Sequence, residues 1–275
     1  MKREEITKLI KQGVQELHAA LAEGRSDRLQ TYLDVMARFP RYSFNNCMLI
    51  ALQDPDCTMV QGFRAWKKLG RHVKKGAKGI GIVAPLVSRK KEDAPATEEG
   101  DRNSIRGFKV VHVFDVRQTE GDELPQFATI TGDPGENVAT LENVIRDEGI
   151  ELEYDFLPSG AEGVSQKGKI IVRPDLQPAE KFSVLVHELS HEMLHAGKER
   201  RKETTKTIRE TEAEAVAHVV CHALGMESIA HSADYIHLYH GNVDVLTESL
   251  DAIQKTAARI LDAIAAHSEA EEVAA

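Results

Sequence analysis

Several features are scarce or missing in this chain, and each absence narrows its class. Cysteine occurs three times, at Cys47, Cys57 and Cys221, an odd number at wide spacing. That pattern supplies neither a disulfide framework nor a CxxC metal pair, and it suits a reducing cytosol with small buried thiols. No apolar run is long enough to cross a bilayer. The first residues, MKREEITKLIKQGVQELHAALAEG, are broken by charges every few positions, so a signal peptide is not expected. Ile6, Leu9, Ile10, Val14, Leu17 and Leu21 instead recur at helical spacing, as in an amphipathic helix. Tryptophan occurs once, at Trp66, and no internal repeat is visible. Acid is missing from Gln61 to Lys91. That stretch carries Arg64, Lys67, Lys68, Arg71, Lys74, Lys75, Lys78, Arg89, Lys90 and Lys91 and no Asp or Glu.

What remains describes a globular protein. The 275 residues are 41% hydrophobic and 29% charged, enough for one large domain or two modest ones. Formal net charge is −9, and removing the ten basic residues above leaves −19 on the remainder. A basic island on an acidic protein points to a local anion-binding surface.

Residues 1–40 read as one or two helices ending near Phe39-Pro40, and RYSFNNCMLIALQ reads as a short helix from Ser43. A helical piece over 63–69 stops at Gly70. Residues 79–87 and 108–120 read as strands able to pair across a polar, flexible loop at 89–106, and the turn-rich stretch 122–135 suggests a domain boundary. Beyond it come a helix at 136–148, strands at 151–156 and 169–174, helices near 178–196 and 207–225, and a long helix at 243–267 ahead of a frayed tail. The expected class is α+β, with domains at 1–128 and 136–270, the second built on a small antiparallel or mixed sheet.

The segment VLVHELSHEMLH (184–195) contains HExxH. Residues four apart share a helix face one turn above each other, so His187 and His191 can converge on one ion. Zinc suits that donor pair, with manganese or another divalent ion able to take its place. Glu188 points off the ligand axis, where it can reach water activated by the ion and act as general base. A third ligand is required. On the helix RETEAEAVAHVV (209–220), Glu210 and Glu214 share a face, which suggests Glu210 as ligand and Glu214 as hydrogen-bond partner of a ligand histidine, the gluzincin pattern. A solvated acidic helix start is the competing explanation. His218 and Cys221 lie too far along that helix. His195 cannot reach the same ion from a third successive turn and is expected to pack or to face substrate.

In the basic stretch, Phe63 and Trp66 sit among Arg64, Lys67, Lys68, Arg71, Lys74, Lys75 and Lys78. Positive charge with aromatic faces is how proteins hold single-stranded nucleic acid without reading sequence. Tyr42, Phe44 and Asn46 could line the same groove. Burial of Trp66 in the core is the alternative.

The pairing of RYSFNNCMLIALQ, GFRAWKKLGRHVKKGAKGIGIVAP and VFDVRQTEG with a downstream HELSHEMLH and an E-x-x-x-E helix resembles the ArdC-type antirestriction proteins. The resemblance implies an N-terminal domain that binds single-stranded DNA, joined to a zincin-like metallopeptidase domain. It places metal on His187, His191 and Glu210, catalysis on Glu188, and DNA contact within 42–78. Its implied partners are single-stranded DNA, with duplex DNA also open, and an unknown protein substrate, for a cytoplasmic protein of a mobile element, a phage or a bacterial host. The C-terminal half is also similar to the IrrE/ImmA regulatory peptidases. Three functions follow: a DNA-binding antirestriction protein with a peptidase domain, a protease that cuts a repressor, or a DNA-binding protein whose metal is structural.

Overall fold

The computed structural model describes residues 3–89, 103–123, 134–157, 160–197, 204–226 and 243–274. Contacts divide the chain into two units, one of Met1–Gly13 with Met48–Pro125 and one of Val14–Cys47 with Gln126–Ala275.

In the first unit, helix α1 (Arg3–Ala22) begins and α3 (Phe44–Gln53) ends. They meet at Gly13, where a Cβ would come within 2.7 Å of Leu52 Cδ1 and 2.9 Å of Met48 Sδ. Strands β1 (Val60–Gly62), β3 (Ile80–Arg89) and β4 (Asn103–Asp115) form an antiparallel sheet in the order β1-β4-β3. The anticipated hairpin is therefore present. Of its anticipated loop, residues 90–102 lie outside the described residues. The Gln53 amide ties α3 to the sheet edge, donating to Gly81 O and accepting from Gly81 N, both at 2.9 Å. Helix α4 (Phe63–Lys68) ends as anticipated at Gly70, whose φ of 71° few other residues would tolerate. Strands β2 (Arg71–Val73) and β5 (Thr119–Gly121) pair antiparallel. Between β4 and β5, fully buried Asp115 caps a 3-10 turn and accepts from the Thr58 and Arg117 amides and from Arg117 Nε.

The second unit holds α2 (Asp27–Arg38), α5 (Asn137–Asp147), α6 (Pro178–His195), α7 (Lys206–Ala223) and α8 (Val243–Ala274) with a small mixed sheet, against which α5 and α6 pack. Its order is β6 (Glu151–Tyr154), β8 (Lys169–Val172), β7 (Gly163–Ser165), with β6 parallel and β7 antiparallel to β8. The three-residue β7 was not anticipated, because so short an edge strand shows no alternation to read. It is held by the anticipated turn before β8, in which Lys167 (φ 50°) and Gly168 (φ 93°) make a two-residue link. The Glu192 carboxylate stitches that hairpin to α6, accepting from Ser165 Oγ and from Gly168 N. Helix α6 starts with Pro178 in its first turn and a Gln177–Glu180 capping box, and it buries Phe182, Leu185, Val186 and Leu189.

Two expectations change here. The tail read as frayed continues α8 to Ala274, since Glu and Ala favour helix. Along α8, Ile260 is buried where Leu261 was expected. Residues 14–47 group by contact with residues 126–275.

Candidate metal centre

Helix α6 brings His187 and His191 onto one face, their Nε2 atoms 3.1 Å apart. Glu210, near the start of α7, completes a triangle. Its Oε2 lies 3.3 Å from His191 Nε2 and 3.6 Å from His187 Nε2. A tetrahedral ion with bonds of about 2.0–2.1 Å needs ligand atoms roughly 3.3–3.4 Å apart, so the donor set fits a divalent metal of the zinc or manganese kind. Neither His218 nor Cys221 joins the cluster.

Both ligand rings turn Nε2 toward the cluster and Nδ1 toward a supporting group. His187 Nδ1 faces Glu214 Oε2 at 3.3 Å, the arrangement expected from the i, i+4 spacing of Glu210 and Glu214. His191 Nδ1 faces His195 Nδ1 at 3.1 Å, and His195 Nε2 faces Glu212 Oε2 at 2.8 Å. One assignment of protons satisfies this relay: His191 Nδ1–H donates to His195, whose Nε2–H donates to Glu212, leaving His191 Nε2 free for a metal. His195 is 3% exposed and Glu212 fully buried. The role of Glu212 was missed because it points away from the Glu210–Glu214 face. The i+4 step from His191 to His195 was the available signal.

Glu188 is 7% exposed and lines both adjoining clefts, of about 370 and 760 Å³. Burial pushes its carboxyl pKa up, against the lowering influence of His187 and His191, which favours a proton acceptor working near neutrality. It lies against β7 at Gly163, where a Cβ would sit 2.8 Å from Glu188 Oε1 and 2.6 Å from Val184 Cγ1. Burial pulls the His187 pKa down, yet Glu210 and Glu214 outweigh it and carry it up to about 9. Hydrogen bonds from His187 and His191 hold Glu210 far below the usual carboxylate range.

The basic segment is resolved into different parts. Arg64, Lys67, Lys68, Lys74, Lys75 and Lys78 are exposed, and Phe63 beside them is 59% exposed. Trp66 does not belong with them. It is 0% exposed and its Nε1–H donates to Phe114 O at 2.8 Å, so it is a core residue that no base can stack on. Arg71 is occupied in holding β5, donating to Thr119 Oγ1 at 2.8 Å and to Asp122 O. Phe44 is also buried, and Tyr42 packs edge-on against Phe39. The acid-free run is not acid-free in space, because β2 and β5 pair His72 with Glu120.

The model of the N-terminal domain of anti-restriction factor ArdC matches residues 2–114. This segment is similar in sequence to that domain. No curated relative matches the chain. Two crystal structures of the antirestriction ArdC protein from the R388 plasmid, metal-free and Mn(II)-bound, match at TM-score 0.56. They are 17% and 16% identical and cover 94% of this chain and 98% of theirs. The α+β fold of ArdC, helices with small sheets, thus extends over nearly the whole chain. The matched segment runs through residues 14–47 even though those residues pack with the C-terminal unit. Among the described residues no helix is long and apolar enough to cross a membrane.

Proposed function

We propose that this chain is a cytoplasmic antirestriction protein that holds single-stranded DNA through its N-terminal basic surface and hydrolyses peptide bonds at a divalent-metal centre. The convergence of His187, His191 and Glu210 to 3.1–3.6 Å carries the reading. The Mn(II)-bound form of the R388 protein supports a divalent ion, and the two-imidazole, one-carboxylate donor set favours zinc.

A bound ion would polarise the scissile carbonyl and acidify water beside it. Glu188 would take a proton from that water on its carboxylate as the water oxygen bonds to the carbonyl carbon. It would return the proton to the amide nitrogen as the C–N bond breaks. An extended peptide could pair with the edge of β7, which borders both clefts. On the other unit, Arg64, Lys67, Lys68, Lys74, Lys75 and Lys78 would contact phosphates, and Phe63 would offer its ring to a base. The domains at 1–128 and 136–270 remain our assignment of these two activities along the chain.

Metal analysis of wild-type, His187→Ala and Glu210→Ala protein tests the ligand set, with loss of the ion at this centre expected in both. Full retention there by either variant sinks the proposal. Glu188→Gln should keep metal and fold but lose peptidase activity. Binding to a labelled single strand should weaken with salt, and replacing any one of the phosphate-binding lysines by alanine should reduce the logarithmic slope by about 0.7. A salt-insensitive affinity would remove the DNA half of the reading.

A further inference from the structure

Helices α2 and α7 pack together, and each presents an i, i+4 pair to the other: Gln30 and Asp34 from α2, His218 and His222 from α7. His218 Nε2 lies 3.0 Å from Asp34 Oδ1 and 2.8 Å from the Gln30 side-chain amide, which is itself 3.1 Å from Asp34 Oδ1. His222 Nδ1 stands 3.9 Å from the same oxygen. The donor atoms of Asp34, His218 and His222 all fall within 4.8 Å of one another. His218 is buried, and His222 forms the open side.

The inner triangle crowds three polar atoms within 3.1 Å of one another. Burial opposes ionisation of Asp34, but its hydrogen bonds to His218 and Gln30 outweigh that and lower its carboxyl pKa. If Gln30 directs its NH₂ inward and His218 Nε2 accepts from it, that nitrogen's lone pair faces the Asp34 oxygen. If Nε2 carries a proton for Asp34, it opposes the Gln30 NH₂. If the amide is turned to direct its oxygen inward, that oxygen meets the carboxylate at 3.1 Å. Each arrangement leaves one of the three close contacts without a proton between its atoms, with His218 buried and Asp34 and His222 on the open side. With the Gln30 oxygen turned inward, a cation at the centre would meet a donor atom from each of the three side chains.

We infer that Gln30, Asp34, His218 and His222 form a second metal site, separate from the His187 centre, that takes zinc through two imidazole nitrogens, a carboxylate oxygen and an amide oxygen. The imidazoles favour zinc, cobalt or nickel over magnesium or calcium. His218 lies eight residues past Glu210, about 12 Å along the helix axis, so the two sites hold different ions. The second ion clamps α2 onto the helix that bears Glu210 and Glu214, and its role is to hold structure.

The test uses the full chain, stripped with chelator and titrated with Zn²⁺ and with Co²⁺ as a spectroscopic reporter. The wild type should take up two equivalents. His187→Ala/His191→Ala protein should keep one, with a visible cobalt band and a thermal midpoint that rises on adding Zn²⁺. Adding His222→Ala to that pair, or Asp34→Asn in its place, should remove the band, the stoichiometric binding and the thermal response. Circular dichroism confirms that each variant is folded, and His222→Ala is the mild change because that side chain is exposed. If the folded His187→Ala/His191→Ala protein binds no zinc, the second site does not exist. If it binds one equivalent that His222→Ala and Asp34→Asn leave unchanged, the ion lies elsewhere and the assignment fails. Because the first centre is removed in these variants, its own success or failure is read separately.

Discussion

Metal and proton compete for the His187 ring, and the surrounding carboxylates set the terms of that competition. Burial disfavours the imidazolium, but Glu210 and Glu214, at 3.6 and 3.3 Å, lift its pKa to about 9. Only the neutral ring can bind a divalent ion, so binding must displace the proton. With a pKa of about 9, roughly 1% of the ring is neutral at about pH 7 and roughly 9% at about pH 8. The apparent association constant should therefore rise about ninefold over that interval and level off above about pH 9. An unperturbed imidazole would give a rise of only about 1.3-fold. The assay is competition between stripped protein and a chromophoric chelator, corrected for the chelator's own protonation, in the His222→Ala background so that one centre is read. Calorimetry in buffers of different ionisation enthalpy should show close to one proton released per metal near neutrality. An affinity that stays flat from about pH 7 to about pH 8.5 would refute the claim that these carboxylates hold the ring protonated. Stability follows the same sign. The raised pKa makes the imidazolium–carboxylate contribution fully present below the ordinary value of 6.5 and lost as pH climbs through about 9. The melting temperature of metal-free protein should fall across that window, and metal-loaded protein should not follow it.

Other expectations can be checked in parallel. Gly163→Ala places a Cβ against Glu188 and Val184; it should cost on the order of 100-fold in peptidase turnover while metal content, read by elemental analysis, is kept. His195→Ala leaves buried Glu212 without its ring partner. It should cost about 3–5 kcal/mol in denaturant unfolding and about 10- to 100-fold in metal affinity, whereas an effect confined to stability would show that the relay does not support His191. Trp66→Ala should destabilise by about 3–5 kcal/mol. Phe63→Ala should leave unfolding unchanged within about 0.5 kcal/mol but weaken single-strand binding by about 1–3 kcal/mol. Equal effects of the two aromatic substitutions on binding would contradict the separation of roles drawn from their exposure.

Much of the fold could be read before any coordinates, because its long helices carry their own periodicity. The stripe Leu246, Leu250, Ile253 and Ala257 is buried as the spacing implied. The hairpin of β3 and β4 followed from two apolar runs flanking a polar insertion. Strand β7 could not be read, since three residues hold no period, and it exists through pairing to β8 and support from Glu192. The surroundings of Trp66 and Arg71 could not be read for a related reason. Sequence adjacency puts them among exposed lysines, but the hydrogen bonds to Phe114, Thr119 and Asp122 that occupy them come from residues some 50 positions away.

The sequence alone determined the relation between His187 and His191, with Glu188 between them, since four residues make about one helical turn wherever that helix is placed. The tertiary structure decided everything that must cross between elements. It turned Glu210 toward both rings, set Glu212 behind His195 and brought Asp34 of α2 to His218. Those meetings depend on how α2, α6 and α7 are pressed together by their buried faces, and the period of any one helix carries no information about the neighbour it will meet.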